Sequence, residues 1–174
     1  MVFIDGSNIH HAVKRCEGRE PGFKIDYQKL LRLLVSDRKL CRAYYFGSRP
    51  IPPVDEQESF YKKLRHEGFS IEIKPLRARK GKRFEKGVDV ALVTFLLSFG
   101  YRNIYDTAVI VSGDQDFLEA IKDLKYSGKR VELAAFEDSV NADFKLCADE
   151  FISLDKHLKE IQLANDTVTT LKQT

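Results

Sequence analysis

No run in this sequence approaches the ~20 consecutive apolar residues that a bilayer-spanning helix needs. The opening MVFIDGSN also lacks the charged and apolar regions of a secretory signal, so a cytoplasmic protein with no membrane partner is expected. Cysteine is scarce: Cys16, Cys41 and Cys147 are odd in number, far apart and outside any C-x-x-C pattern. That argues against a disulfide framework or a structural zinc site and leaves buried thiols as the expectation. The histidines, His10, His11, His66 and His157, have neither metal-ligand spacing nor a paired nucleophile.

What is abundant is apolar: 43% of the 174 residues are hydrophobic and twelve are phenylalanine, enough to build one ordinary domain with a real core. We expect a single unit over residues 1–163. Residues 164–174, with little to bury, should form a partly disordered tail. Net charge is only +3, but it is unevenly spread. The segment KPLRARKGKRFEK, residues 74–86, holds seven of the 29 basic residues and one of the 26 acidic ones. The rest of the chain is therefore mildly acidic, with 22 basic residues against 25 acidic.

Short apolar runs alternate with helical patterns, the signature of a parallel sheet wrapped by helices. Strands are predicted at 2–5, 40–46, 70–74, 108–112 and 131–136, and helices at 9–16, 27–34, 55–67, 88–99, 117–126 and about 140–148. An amphipathic piece at 154–163 is expected to pack on the outside. Gly68, Gly100 and Gly128 each stand where a left-handed C-terminal cap would sit. Tyr44, Tyr45 and Phe46, at the end of the second strand, could stack on bases, but aromatics on a central strand are more often core.

In an open parallel sheet, ligands bind beyond the carboxyl ends of the strands, where strand order reverses. The first strand ends in FIDGSN and the fourth in SGDQD, so both acidic clusters fall on that edge. Singly, each has a structural explanation. Asp5 and Gly6 make a turn, Ser7 or Asn8 caps the next helix, Ser112 with Gln115 spells a capping box, and Asp114 and Asp116 suit a helix N-terminus. Asp89 is harder to place, because it opens KGVDVALVTFLLSFG, a helix apolar on nearly every face. Its carboxylate is expected on the packed side, with Lys86 as the nearby partner. Together, Asp5, Asp89, Asp114 and Asp116 would raise one another's pKa and resist folding unless a cation sat among them. An oxygen-only donor set suits Mg²⁺ or Mn²⁺ rather than zinc. The basic segment leads directly into the Asp89 helix. Arg77, Arg79, Lys80, Lys82 and Arg83 are placed to neutralise the phosphates of a polyanion, positioning it without reading its sequence.

With FIDGSN, KGVDVAL, SGDQDF, GKRVELAAF and ADEFISL in view, the chain resembles the NYN domain group of PIN-like nucleases, and in particular its bacterial LabA-like branch, over about residues 1–155. The resemblance implies an α/β fold: a three-layer αβα sandwich around a mainly parallel sheet of five or six strands, ordered 3-2-1-4-5. It also implies a ribonuclease site holding one or two divalent ions, Mg²⁺ or Mn²⁺. Asp5, Asp89, Asp114 and Asp116 match the acidic positions, and Asn8 matches the polar residue of the DGSN turn. The expected activity is hydrolysis of RNA, leaving a 5′-phosphate and a 3′-hydroxyl. In that reading one ion is held chiefly by Asp5 and Asp114 and a second near Asp89 and Asp116, while Lys86 or Ser112 orients a ligand or binds phosphate and Asn8 holds water or the scissile group. RNA is the expected partner, and homodimerisation is left open. An RNA-binding or regulatory module that cleaves little is the alternative. A haloacid-dehalogenase-type phosphatase ranks third. FIDGSN has a superficial likeness to its D-x-D-G-T start, but position 7 is serine where that chemistry needs an acid.

Overall fold

The computed structural model describes residues 1–18, 20–79 and 82–164. In chain order its elements are β1 (Val2–Asp5), α1 (Gly6–Glu17), α2 (Tyr27–Val35), β2 (Ala43–Arg49), α3 (Asp55–His66), β3 (Phe69–Pro75), β4 (Arg77–Arg79), β5 (Lys82–Phe84), α4 (Val88–Tyr101), β6 (Thr107–Val111), α5 (Leu118–Tyr126), β7 (Arg130–Ala135), α6 (Ala142–Cys147), β8 (Glu150–Ser153) and α7 (Leu158–Ile161). Six strands form one sheet in the order β3-β2-β1-β6-β7-β8, with every neighbouring pair parallel. Counting only these strands, the order is 3-2-1-4-5-6, so the expected order holds, extended by a sixth strand at one edge.

The alternation of side chains along each strand builds two cores. Val2, Ile4, Tyr45, Val109 and Val111 point to one face, where Ile9 and Ala12 of α1, Leu30 and Leu34 of α2, Leu64 of α3 and Ile161 of α7 pack. Phe3, Tyr44, Phe46, Ile110 and Leu133 point to the other, against Val88, Leu92 and Leu96 of α4, Ile121 and Leu124 of α5 and Phe144 of α6. Period two in the strands and an apolar stripe on each helix are what a three-layer αβα sandwich requires. Tyr44, Tyr45 and Phe46 are buried and belong to the core, in contact with Phe3, Phe95 and Phe60. Helices α2 and α6 start on side-chain caps: Asp26 accepts from the amides of Gln28 and Lys29 at 3.0 Å, and Asn141 accepts from that of Phe144 at 2.8 Å.

Several expectations need correcting. The second strand begins at Ala43 rather than at residue 40, because Leu40 and Cys41 are exposed and carry no ladder. Cys41 is therefore not a buried thiol, whereas Cys16 is. Gly68 and Gly128 do take left-handed conformations after their helices, but Gly100 lies inside α4, packed against Leu124 and Tyr105, and Asn103 takes the positive φ instead. The basic segment holds two short strands for which no strand was expected, β4 and β5, paired antiparallel as a hairpin. The α4 helix, though apolar all round, buries only one side: Val88, Leu92, Leu96 and Gly100 are inside, while Val90 is 69% exposed. Lys80, Gly81 and residues 165–174, which include all but the first residue of the expected tail, lie outside the described residues. Among the described residues no helix is long and apolar enough to cross a membrane.

Candidate active site

Strand order reverses between β1 and β6, and the loops leaving their carboxyl ends meet there. Asp5 is the last residue of β1 and also the cap of α1, its Oδ1 accepting the backbone N–H of Asn8 at 3.1 Å. Asp5 thus does the capping expected of Ser7 or Asn8, and Gly6 enters the helix directly. A Cβ at Gly6 would come within 2.4 Å of the Tyr45 ring and 2.6 Å of the Phe46 carbonyl, so glycine lets α1 start close against β2. The other Asp5 oxygen accepts the Ser112 hydroxyl at 2.9 Å, and Ser112 Oγ in turn accepts the Asp114 N–H at 3.1 Å. The Gly113 N–H donates to Asn8 Oδ1 at 2.9 Å, so the two loops are stitched by one side-chain pair and one backbone-to-side-chain bond. A Cβ on Gly113 would lie 2.1 Å from the Ser139 carbonyl oxygen, which closes the site from the β7 side.

This network gathers three of the predicted aspartates. One carboxylate oxygen each from Asp5, Asp89 and Asp114 lies within 4.8 Å of the other two. Asp5 is 3% exposed, and burial pushes its pKa up to about 6. The bonds from Asn8 and Ser112 pull it down, and the carboxylates of Asp89 and Asp114 push it further up. The Asp89 carboxyl is also raised, first by burial and then by Asp114, Glu85 and Asp116. As a residue, however, Asp89 is exposed rather than turned to the packed side, because α4 turns Val88 and Leu92 into the core and leaves Asp89 and Val90 outside. No ion pair joins it to Lys86 among the described residues.

Asp116 is exposed and stands outside the close triad. Its backbone N–H donates to Asp114 Oδ1 at 3.0 Å, an arrangement that makes Asp114 the cap and replaces the expected Ser112–Gln115 box. Ser112 is wholly buried, its hydroxyl donating to Asp5 and accepting from the Asp114 N–H. Asn8 sits at the site with its carboxamide oxygen occupied by Gly113. Lys86 and Arg77 are exposed on the approach to α4, and the side chains of Arg79, Lys82 and Arg83 lie outside the described residues. Glu85 was missed in the sequence. Its Oε2 accepts a hydrogen bond from the Ser7 hydroxyl, while Oε1 is shielded from solvent and accepts none. Its one sequence signal is being the single acid in a run of seven bases.

The donor set fits a hard divalent cation. It is all oxygen, it carries three carboxylates, and neither histidine nor cysteine joins it. Oxygens each ~2.1 Å from one octahedral Mg²⁺ lie ~3.0 Å apart when adjacent and ~4.2 Å when opposite, so a set within 4.8 Å draws in by at most about 2 Å to share an ion.

An open, doubly wound parallel sheet with an acidic cluster at its switch point is the architecture of the PIN-like nuclease superfamily. The NYN domain profile matches residues 1–155, and the chain belongs to the NYN domain family. It is 23% identical over 159 residues to the low amplitude and bright protein LabA of Synechococcus elongatus, an alignment spanning 88% of this chain and 82% of that one. A crystal structure of a Vibrio parahaemolyticus protein of unknown function superposes with a TM-score of 0.73 at 20% identity, covering 93% of this chain and 94% of the other, and shares the fold.

Proposed function

We propose that the protein is a Mg²⁺- or Mn²⁺-dependent endoribonuclease acting in the cytoplasm. The observation that carries this reading is the convergence of Asp5, Asp89 and Asp114 oxygens within 4.8 Å, with no ion pair to any of them among the described residues. Three clustered carboxylates without a counter-charge are costly, and an ion removes the cost. Asp5, Asp89 and Asp114 would hold it, with Asp116, whose charge acts on Asp89, the candidate for an adjoining position. When bound, such an ion lowers the pKa of water and offsets charge on a phosphodiester.

The remaining work falls to the chain. Ser112 and the Asn8 amide hold the Asp5 carboxylate in one orientation. The carboxamide nitrogen of Asn8 can donate to a non-bridging phosphate oxygen, and Lys86 with the basic hairpin neutralises the flanking phosphates. A phosphatase working through a phospho-aspartate fits poorly, because Asp5 is 3% exposed with both oxygens hydrogen bonded, and position 7 is a serine bonded to Glu85.

The test is incubation of labelled single-stranded RNA with Mn²⁺ and the protein, beside Asp114→Ala. Cleavage by the wild type alone, abolished by EDTA, is expected. RNA bound but cut by neither protein would turn the assignment to a binding or regulatory module.

A further inference from the structure

The basic hairpin is joined to the domain at two roots. On entry, the Leu76 N–H donates to the Arg49 carbonyl at 2.8 Å, extending the register of β3 against β2. On exit, Glu85 follows β5 directly, turns inward, and takes the Ser7 hydroxyl in the first turn of α1. Between these roots β4 and β5 pair only with each other, forming a two-stranded sheet separate from the main one. An isolated two-stranded hairpin is marginal in water, so its roots decide where it points.

Both partners of the exit root are close to the carboxylates. Ser7 is two residues after Asp5, and Glu85 is four residues before Asp89. Glu85 also acts electrostatically on both Asp89 and the Tyr61 hydroxyl of α3, which puts its carboxylate at the junction of α1, α3 and α4. An acid in a basic run has lysines and arginines beside it for surface pairing. A carboxylate that instead has one oxygen bonded to another element and the other shielded from solvent is anchoring its segment.

We propose that the Ser7–Glu85 hydrogen bond is a positioning contact that fixes the basic hairpin relative to the carboxylate site, and so sets where a gripped RNA backbone lies. This rests on the ribonuclease reading above. Ser7 and Glu85 are positioning residues in it, acting on substrate through Arg77 and Lys86, the exposed bases at the two roots of the hairpin. The contact joins the two halves of the site, the β1–α1 junction that carries Asp5 and the hairpin that leads into Asp89.

The test compares wild type, Ser7→Ala, Ser7→Thr and Glu85→Gln, the last two keeping a hydroxyl donor and an oxygen acceptor respectively. Two readouts are taken: the rate of limited tryptic cleavage within residues 77–86, and the Kd for a labelled single-stranded oligoribonucleotide by fluorescence anisotropy in EDTA. For Ser7→Ala, tryptic cleavage should accelerate and RNA affinity weaken, each by about 10-fold, the effect of losing one hydrogen bond to a charged group. Its Mn²⁺ affinity should stay within about twofold, since the three aspartates are untouched, and Ser7→Thr should match wild type. Glu85→Gln should retain most of the protection from trypsin. An unchanged tryptic rate in Ser7→Ala overturns the anchor. A faster cut with unchanged RNA affinity overturns the positioning role. Wild-type protein that binds no RNA overturns the ribonuclease reading and the positioning role with it, while the tryptic rate still decides whether the anchor exists.

Discussion

Two carboxylates are buried among the described residues, Asp5 at 3% exposure and Glu132 at 2%, and they sit towards opposite ends of the same sheet. Glu132 is complete. Arg38 grips both its oxygens at 2.7 and 2.9 Å, and Arg130 adds a third bond at 2.8 Å. Burial pushes the Glu132 carboxyl up, but the two guanidinium groups outweigh it and leave the group below its ordinary range. Asp5 has a hydroxyl and one backbone amide as donors, and its charged neighbours are two more carboxylates, so burial wins and the pKa rises to about 6. Burial alone therefore does not mark a functional acid. What marks it is burial without a paired counter-charge among the described residues, which holds for Asp5 and not for Glu132.

The comparison can be broken from either side. The largest effect should follow removal of a site carboxylate: Asp5→Ala or Asp114→Ala should lower RNA cleavage by at least ~10³-fold, about 4 kcal/mol of transition-state stabilisation, measured as kcat/KM with Mn²⁺. Next, Arg38→Met combined with Arg130→Met strips Glu132 of its partners and should cost about 3–5 kcal/mol in urea unfolding at pH 7. Because the folded pKa of Glu132 is depressed, its stabilisation is present above the ordinary carboxylate pKa and is lost as pH falls through the lowered value. The gap between wild type and variant should therefore close in acid.

Asp5 has the opposite sign. Its folded pKa, about 6, lies above the ordinary 3.8, so its contribution is fully present below pH 3.8 and is lost as pH rises through about 6. Without metal, Asp5→Asn should therefore be more stable than wild type by about 3 kcal/mol at pH 7.5, and the advantage should vanish near pH 4. Mn²⁺ should raise the Tm of the wild type and leave that variant unmoved. The smallest effect is expected at Gly113→Ala, where the new Cβ meets the Ser139 carbonyl at 2.1 Å; a loss of about 1–3 kcal/mol should appear in thermal unfolding.

Much of this was legible in the sequence. The parallel α/β fold follows from apolar runs alternating with helical patterns. Asp5 and Asp114 follow from the rule that ligands sit beyond the carboxyl ends of strands. What periodicity could not reach was conformation set by contacts distant in sequence. The Ser112 hydroxyl looked like a cap until Asp5, 107 residues away, was found to accept it. Asp89 looked buried because its helix is apolar all round, but α4 leaves Val90 exposed. Glu85 was hidden by composition, one acid among basic neighbours, and only the fold brings Ser7 to it. The hairpin of β4 and β5 carries too few apolar residues to register as strands, and β8 is four residues long with one exposed end.

The central claim is that Asp5, Asp89 and Asp114 share an ion. Crystals grown with saturating Mn²⁺ and measured at the manganese absorption edge test it directly. The account predicts an anomalous peak within coordinating distance of all three carboxylates, absent from Asp5→Asn crystals. Well-ordered wild-type crystals with no peak among those carboxylates would contradict it.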